Sequence, residues 1–158
     1  MNSKLTHVDR TGNPSMVDVS KKATTKRMAR AQAIVHVGAS IAALLKGEDI
    51  MTRKGPVFQT AILAGVMGAK QTSTLIPLCH PLGLEDCQVT IKLVDDKVVI
   101  NSSATVTSKT GVEMEALTAV SVAALTVYDM CKALSHDITI EQIKLIEKRG
   151  GKKDFKRK

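Results

Sequence analysis

A stretch of uncharged, mostly apolar residues from Ala116 to Tyr128 carries ionisable residues at both ends: Lys109, Glu113 and Glu115 before it, Asp129 and Lys132 after it. Leu117, Val120, Val122, Ala123, Leu125, Val127 and Met130 do not keep to one helical stripe. A helix that is apolar nearly all round is buried on more than one side. In a chain of 158 residues this suggests a core helix that also meets a second subunit. Charge at the ends of such a helix must be paired or used, because burying it otherwise is costly. The segment from Lys109 to Lys132 therefore reads as a site built around a core helix.

Spacing sharpens that reading. Asp129 and Lys132 are three residues apart and share a helix face. Near a helix C-terminus the macrodipole favours the lysine and disfavours the aspartate. The pair either ties down a helix end or serves a site. Glu113 and Glu115 are two apart, which is about 200° around a helix but the same side of an extended chain. If both serve one pocket, the chain runs extended through Met114 and the helix starts at about Ala116, with Gly111 marking a loop upstream. The alternative is that the two glutamates favour a helix N-terminus.

The length favours a single domain with a real core. Trp is absent and only two Phe and one Tyr occur, so the core must be aliphatic. The uncharged run around Ala116 is short of the ~20 residues of a membrane span, and the first fourteen residues carry no apolar segment of a secretion signal. Cys79, Cys87 and Cys131 are odd in number and widely spaced, as free thiols in a reducing cytoplasm would be. Charge is unevenly placed. Residues 148–158 hold seven of the 23 Lys and Arg but one of the 15 Asp and Glu, so the body is nearly balanced. Residues 156–158 read as a mobile basic tail. Residues 1–15, with Gly12-Asn13-Pro14, read as an N-terminal loop.

Along the chain, Val17–Ser20 reads as a short strand. Lys26–Val37 is ambiguous, but Arg27, Ala29, Ala31, Ala33, Val35 and Val37 alternate with other residues, which suits a strand through Ala33–Val37 stopped by Gly38. Ala39–Lys46 is expected to be a short amphipathic helix ending at Gly47. Arg53–Pro56 is a turn, and a second helix rich in Ala and Gly runs from Val57 to about Thr74. Ile76–Pro81 holds two prolines and must be extended. Asp86–Val94 and Lys97–Val106 form a hairpin around Asp95-Asp96. Ile138–Ile146 is a final strand ended by Gly150-Gly151. Such elements point to an α+β protein, an antiparallel sheet with helices packed on one face.

Other residues carry chemistry. His80, between Cys79 and Pro81, is presented from a stiff segment. Lys54 sits on a turn beside Gly55-Pro56. The Cys and His spacing does not match a zinc site. Gly68-Ala69-Lys70-Gln71 is not a phosphate loop, and there is no Gly-x-Gly-x-x-Gly. Any phosphate must therefore be held by separate Lys and Arg residues.

Taken together, MVDVS at Met16–Ser20, KGPVF at Lys54–Phe58, IPLCHPL at Ile76–Leu82, KTGVEMEALTAVSVAALTVYDMCKAL at Lys109–Leu134 and GGKKDF at Gly150–Phe155 closely resemble the cyclic pyranopterin monophosphate synthase family, the molybdenum cofactor biosynthesis accessory protein C. The resemblance runs from about Leu5 to Phe155, so that 1–158 is one such domain. It implies a ferredoxin-like subunit in a homohexamer, a trimer of dimers, with sites shared between subunits. The expectation is a cytoplasmic lyase with no cofactor and no metal-site residues, and with neither nucleic acid nor membrane as a partner. The substrate would be a cyclised dihydro-GTP intermediate made by a radical S-adenosylmethionine GTP cyclase, rearranged to cyclic pyranopterin monophosphate with loss of pyrophosphate. By similarity Asp129, Lys132 and Lys54 are catalytic, and Arg27, His80, Glu113, Met114, Glu115 and Lys148 bind substrate.

The residue chemistry agrees. Reclosing a purine-derived ring needs proton transfer, which a lysine of lowered pKa beside a carboxylate could perform; Lys132 with Asp129 is that pair. Lys54, Arg27 and Lys148 could bind a triphosphate, His80 could hold a phosphate or move a proton, and Glu113 and Glu115 could accept from guanine-derived amino groups. Two rival classes are a nucleic-acid-binding protein using the basic tail, with steep salt dependence, and a nucleotide sensor that binds without turnover.

Overall fold

The computed structural model describes residue 8 and residues 11–158. Of the expected loop at 1–15, residues 1–7, 9 and 10 lie outside the described residues; Val8 bridges Pro14.

Strand β1 (Thr25–His36) is the backbone of the main sheet. Its alternate residues Ala29, Ala31, Ala33 and Val35 are all buried, the period-2 signature of a half-covered strand. The strand expected through Ala33–Val37 thus starts upstream at Thr25, along the alternation that already runs from Arg27 in the sequence. The chain then forms α1 (Ala39–Ala42), β2 (Leu45–Lys46), β3 (Asp49–Thr52) and β4 (Gly55–Pro56), a small ribbon in the order β2-β3-β4. The helix expected through Lys46 stops at Ala42 because Leu45 and Lys46 pair with Ile50 and Asp49 across Gly47. The Arg53-Lys54 turn is where the sequence put it, between β3 and β4.

Helix α2 (Val57–Lys70) breaks at Gln71 before the single turn α3 (Thr72–Leu75). Ile76–Pro81 is not fully extended: Cys79 N–H donates to Ile76 O at 3.1 Å, a β-turn with Pro77 at its favoured position. The expected hairpin is present as β5 (Asp86–Val94) and β6 (Lys97–Ser108), turning at Asp95 with φ 55. Helix α4 (Glu113–Cys131), β7 (Thr139–Arg149) and β8 (Phe155–Lys156) complete the chain. Val17–Ser20 is not a strand; the Asp18 carboxylate accepts from Ser20 N–H at 2.8 Å, the local turn by which Asp competes with extended pairing.

The main sheet is antiparallel throughout, in the order β5-β6-β1-β7-β8. The succession β1-α2-β5-β6-α4-β7 is a split β-α-β unit repeated, with α4 laid across β1, β6 and β7 and α2 beside it over β5. The protein is α+β with its long helices on one sheet face. The core is aliphatic apart from Phe58 and the Cys131 thiol. The two helices approach closely: a Cβ on Gly65 would lie 2.9 Å from Ala119 O, and one on Gly68 2.7 Å from the Val122 side chain. Helix α4 is long and apolar enough to cross a membrane, yet most of it is buried inside the protein, as a core helix is. The basic end does not begin as a free tail. Lys156 pairs with Glu147, and Arg157 N–H donates to Ile146 O at 2.8 Å.

Candidate active site

The ribbon carries Lys54 to the C-terminal end of α4. Its Nζ donates to Oδ2 of Asp129 and to the Asp129 carbonyl, both at 2.8 Å. Lys132 Nζ takes the other carboxylate oxygen, Oδ1, at 2.7 Å. One anion thus sits between two cations drawn from distant parts of the chain. The bond from Lys132, then that from Lys54, holds the Asp129 carboxyl down to about 2. The same bond raises the Lys132 ammonium above its ordinary value. The expected lysine of lowered pKa is therefore overturned: Lys132 is solvated, and its carboxylate partner outweighs desolvation. The side chains of Lys54, Asp129 and Lys132 are 45%, 54% and 48% exposed. Pairs this exposed contribute little to folding, so tying down a helix end does not account for the cluster. A cavity of about 660 Å³, lined by Leu44, Met51, Thr52, Lys54, Met130 and Leu134 among others, opens beside it.

The other end of α4 holds a second cluster. The helix starts at Glu113, not Ala116, so both glutamates occupy the first turn, where the dipole favours anions. They diverge as helical residues two apart must. Glu113 Oε1 accepts from Lys148 Nζ of β7 at 2.8 Å, while Glu115 is 4% exposed. Both nevertheless line one cavity of about 420 Å³, with Val17, Val19, Lys22, Cys79, His80, Thr110 and Met114. No extended chain is needed because the Glu113 carboxylate folds back over Gly111, where any Cβ would collide with it. Burial above all, then the charge of Glu113, raises the Glu115 carboxyl above its ordinary value. Burial and Glu115 raise the Cys79 thiol.

Behind Glu113, a smaller cavity of about 160 Å³ brings Arg27 and Lys148 together with Arg149 and Lys152. Arg27 Nε is anchored to Ser108 O at 3.1 Å. The N-terminal end of α4 thus gathers His80, Glu113, Met114, Glu115, Arg27 and Lys148. The C-terminal end gathers Lys54, Asp129 and Lys132. Sequence reasoning did not single out Lys22, whose only signal was membership of a lysine-rich run. Lys109 has a different role from that implied by its place beside the glutamates: its Nζ donates to Ser20 O at 2.8 Å, holding residues 17–22 as a wall of the larger cavity. Among the described residues, no group of three or more His, Cys, Asp and Glu is placed to hold a metal ion.

The two clusters do not meet within one subunit. Glu115 and Asp129 are separated by nearly the whole of α4, about 21 Å at 1.5 Å per residue.

Comparison with known proteins adds to this geometry. Residues 16–151 match the MoaC family. The chain is 49% identical over 154 residues to a cyclic pyranopterin monophosphate synthase of Xanthomonas axonopodis pv. citri, covering 97% of this chain and 93% of that protein. It is 53% identical over 157 residues to molybdenum cofactor biosynthesis protein 1 of Drosophila melanogaster, covering 98% of this chain but 27% of that protein. It is 49% identical to a molybdenum cofactor biosynthesis bifunctional protein of Synechocystis, spanning 45% of it.

Proposed function

This chain belongs to the MoaC family, and we propose on that footing that it is a cyclic pyranopterin monophosphate synthase of molybdenum cofactor biosynthesis. The substrate is a cyclised dihydro-nucleotide triphosphate derived from GTP, supplied by a radical S-adenosylmethionine cyclase, and pyrophosphate leaves. The observation that carries the mechanism is the Lys54–Asp129–Lys132 cluster. A carboxylate shared between two ammonium groups holds both in place and keeps them charged. Lys132 enters the cycle as an acid, donating to an atom that gains negative charge as the purine-derived ring opens and recloses. Lys54 offers a second cation beside it.

At the other end of α4, Arg27 and Lys148 bind the phosphates, His80 holds a phosphate or moves a proton, and Glu113 and Glu115 accept from amino groups of the guanine-derived ring over Met114. A compact substrate cannot span both clusters in one subunit. The reading therefore includes a site shared between two subunits, within a trimer of dimers. It extends to a reducing cytoplasm, for which the free thiols of Cys79, Cys87 and Cys131 give support.

Incubation with the cyclised GTP intermediate tests the reading. Pyrophosphate and a pterin chromophore should appear together, at rates that fall with loss of Lys132. Tight binding with no pyrophosphate would make the protein a nucleotide sensor.

A further inference from the structure

Lys54 reaches Asp129 from a ribbon too slight to hold it. Strands β3 and β4 pair only through Met51 with Pro56 and Thr52 with Gly55, and isolated two-stranded ribbons are marginal in water. What orients Lys54 must come from outside the ribbon. One anchor is apolar: Ile50 is fully buried. The other is polar. Oδ1 of Asp49 accepts from Phe58 N–H at 2.7 Å and Oδ2 from Gln59 N–H at 3.1 Å. Those donors lie in the first turn of α2, where backbone N–H groups have no intrahelical partner, and Pro56 supplies α2 with no side-chain cap. A carboxylate also suits the positive end of a helix. Closer to the turn, Thr52 Oγ1 accepts from Lys54 N–H and donates to Gly55 O, both at 3.2 Å.

We propose that Asp49 is a positioning residue for the reaction: by clamping β3 to the first turn of α2, it fixes the Arg53-Lys54 turn so that the Lys54 ammonium lands on Asp129. Both carboxylate oxygens of Asp49 serve α2, and it acts on chemistry only through Lys54. The inference rests on the reading of Lys54 as part of the reacting cluster.

The test is a double-mutant cycle on the assembled protein, with single-turnover rates and melting temperatures measured on the same preparations. Asp49→Ala should cut the rate per folded subunit about tenfold or more. Asp49→Asn keeps one acceptor and nearly the same shape, so it should fold and recover part of that loss. In a Lys54→Ala background, Asp49→Ala should cost less than a further twofold, because residues acting as a unit are not additive. Ser102→Ala removes a buried bond to Ala116 O far from Lys54; it should lower the melting temperature and leave the rate per folded subunit near wild type. A wild-type rate in Asp49→Ala, a full multiplicative loss on top of Lys54→Ala, or an equal loss in Ser102→Ala would each overturn the proposal. A fully active Lys54→Ala would sink the underlying reading instead, whatever Asp49 does.

Discussion

Asp129 is the anion of a three-charge cluster in which neither lysine is redundant: each carboxylate oxygen binds a different ammonium. Lys132→Ala should lower the rate by about 10²–10⁴, the range of a lost general acid. Its melting temperature should hardly move, since exposed pairs add little to stability. Lys132→Arg should not rescue turnover, because guanidinium does not release a proton near neutral pH. An active but destabilised Lys132→Ala would reduce the pair to a helix-end tie. The carboxyl of Asp129 is depressed from 3.8 to about 2, so its stabilising contribution is present above pH 3.8 and is lost only as pH falls towards 2. Glu115 works in the opposite sense. Its carboxyl is raised by burial, so its own contribution to stability falls as pH rises through and above the ordinary glutamate range. Glu115→Gln removes that titration. Thermal melts at several pH values should show the variant gaining on wild type from pH 4 to pH 8, and a gap constant with pH would refute the buried-carboxylate account.

Helices α2 and α4 touch through glycine, at Gly65 against Ala119 and Gly68 against Val122. Gly65→Ala would push a methyl group against Ala119 O, and overpacking of this kind costs typically 1–3 kcal/mol. A drop in melting temperature with little change in rate per folded subunit is the expected result; an unchanged melting temperature would show that the helices separate freely. The same elements show what the chain made legible. The hairpin was readable because long alternating runs flank Asp95-Asp96. Helix α4 was readable from its apolar run, but its start was placed three residues late, since Glu113 and Glu115 suited either an extended chain or a first turn. The β2-β3-β4 ribbon was not readable, because strands of two to four residues are too short to carry a period. Glu113, Glu115, Asp129, Lys132, His80 and Lys54 stand out by spacing and chemistry, whereas Arg27 and Met114 come only from resemblance to a family. What sequence could not supply was the arrangement: Lys54 and Asp129 are 75 positions apart, Asp49 carries no motif, and nothing linear says which end of α4 Lys54, His80, Arg27 and Lys148 join.

At the scale of the whole molecule, Leu63 and Met67 on α2 and Leu125 on α4 are 66%, 66% and 60% exposed. Large apolar side chains left bare on a helical layer invite a partner. Light scattering should give a mass several times the 16.9 kDa of one chain; a clean, fully active monomer would end the shared-site reading. Mixing supplies a sharper test. Asp129→Ala and Glu113→Ala should each be inactive alone. After subunits are exchanged at random across a two-fold interface, about a quarter of the sites should be intact, because half the pairs are mixed and each mixed pair has one whole site. No recovery would mean that each site lies within one chain. A rod with unlike ends also has a polarity. Two such rods laid parallel would set each Lys54–Asp129–Lys132 cluster against its own copy and each Glu113–Glu115 end against its own copy. Laid head to tail, they match at both ends at once, so sites on this reading come in twins, and a lesion at one tip silences one twin and spares the other.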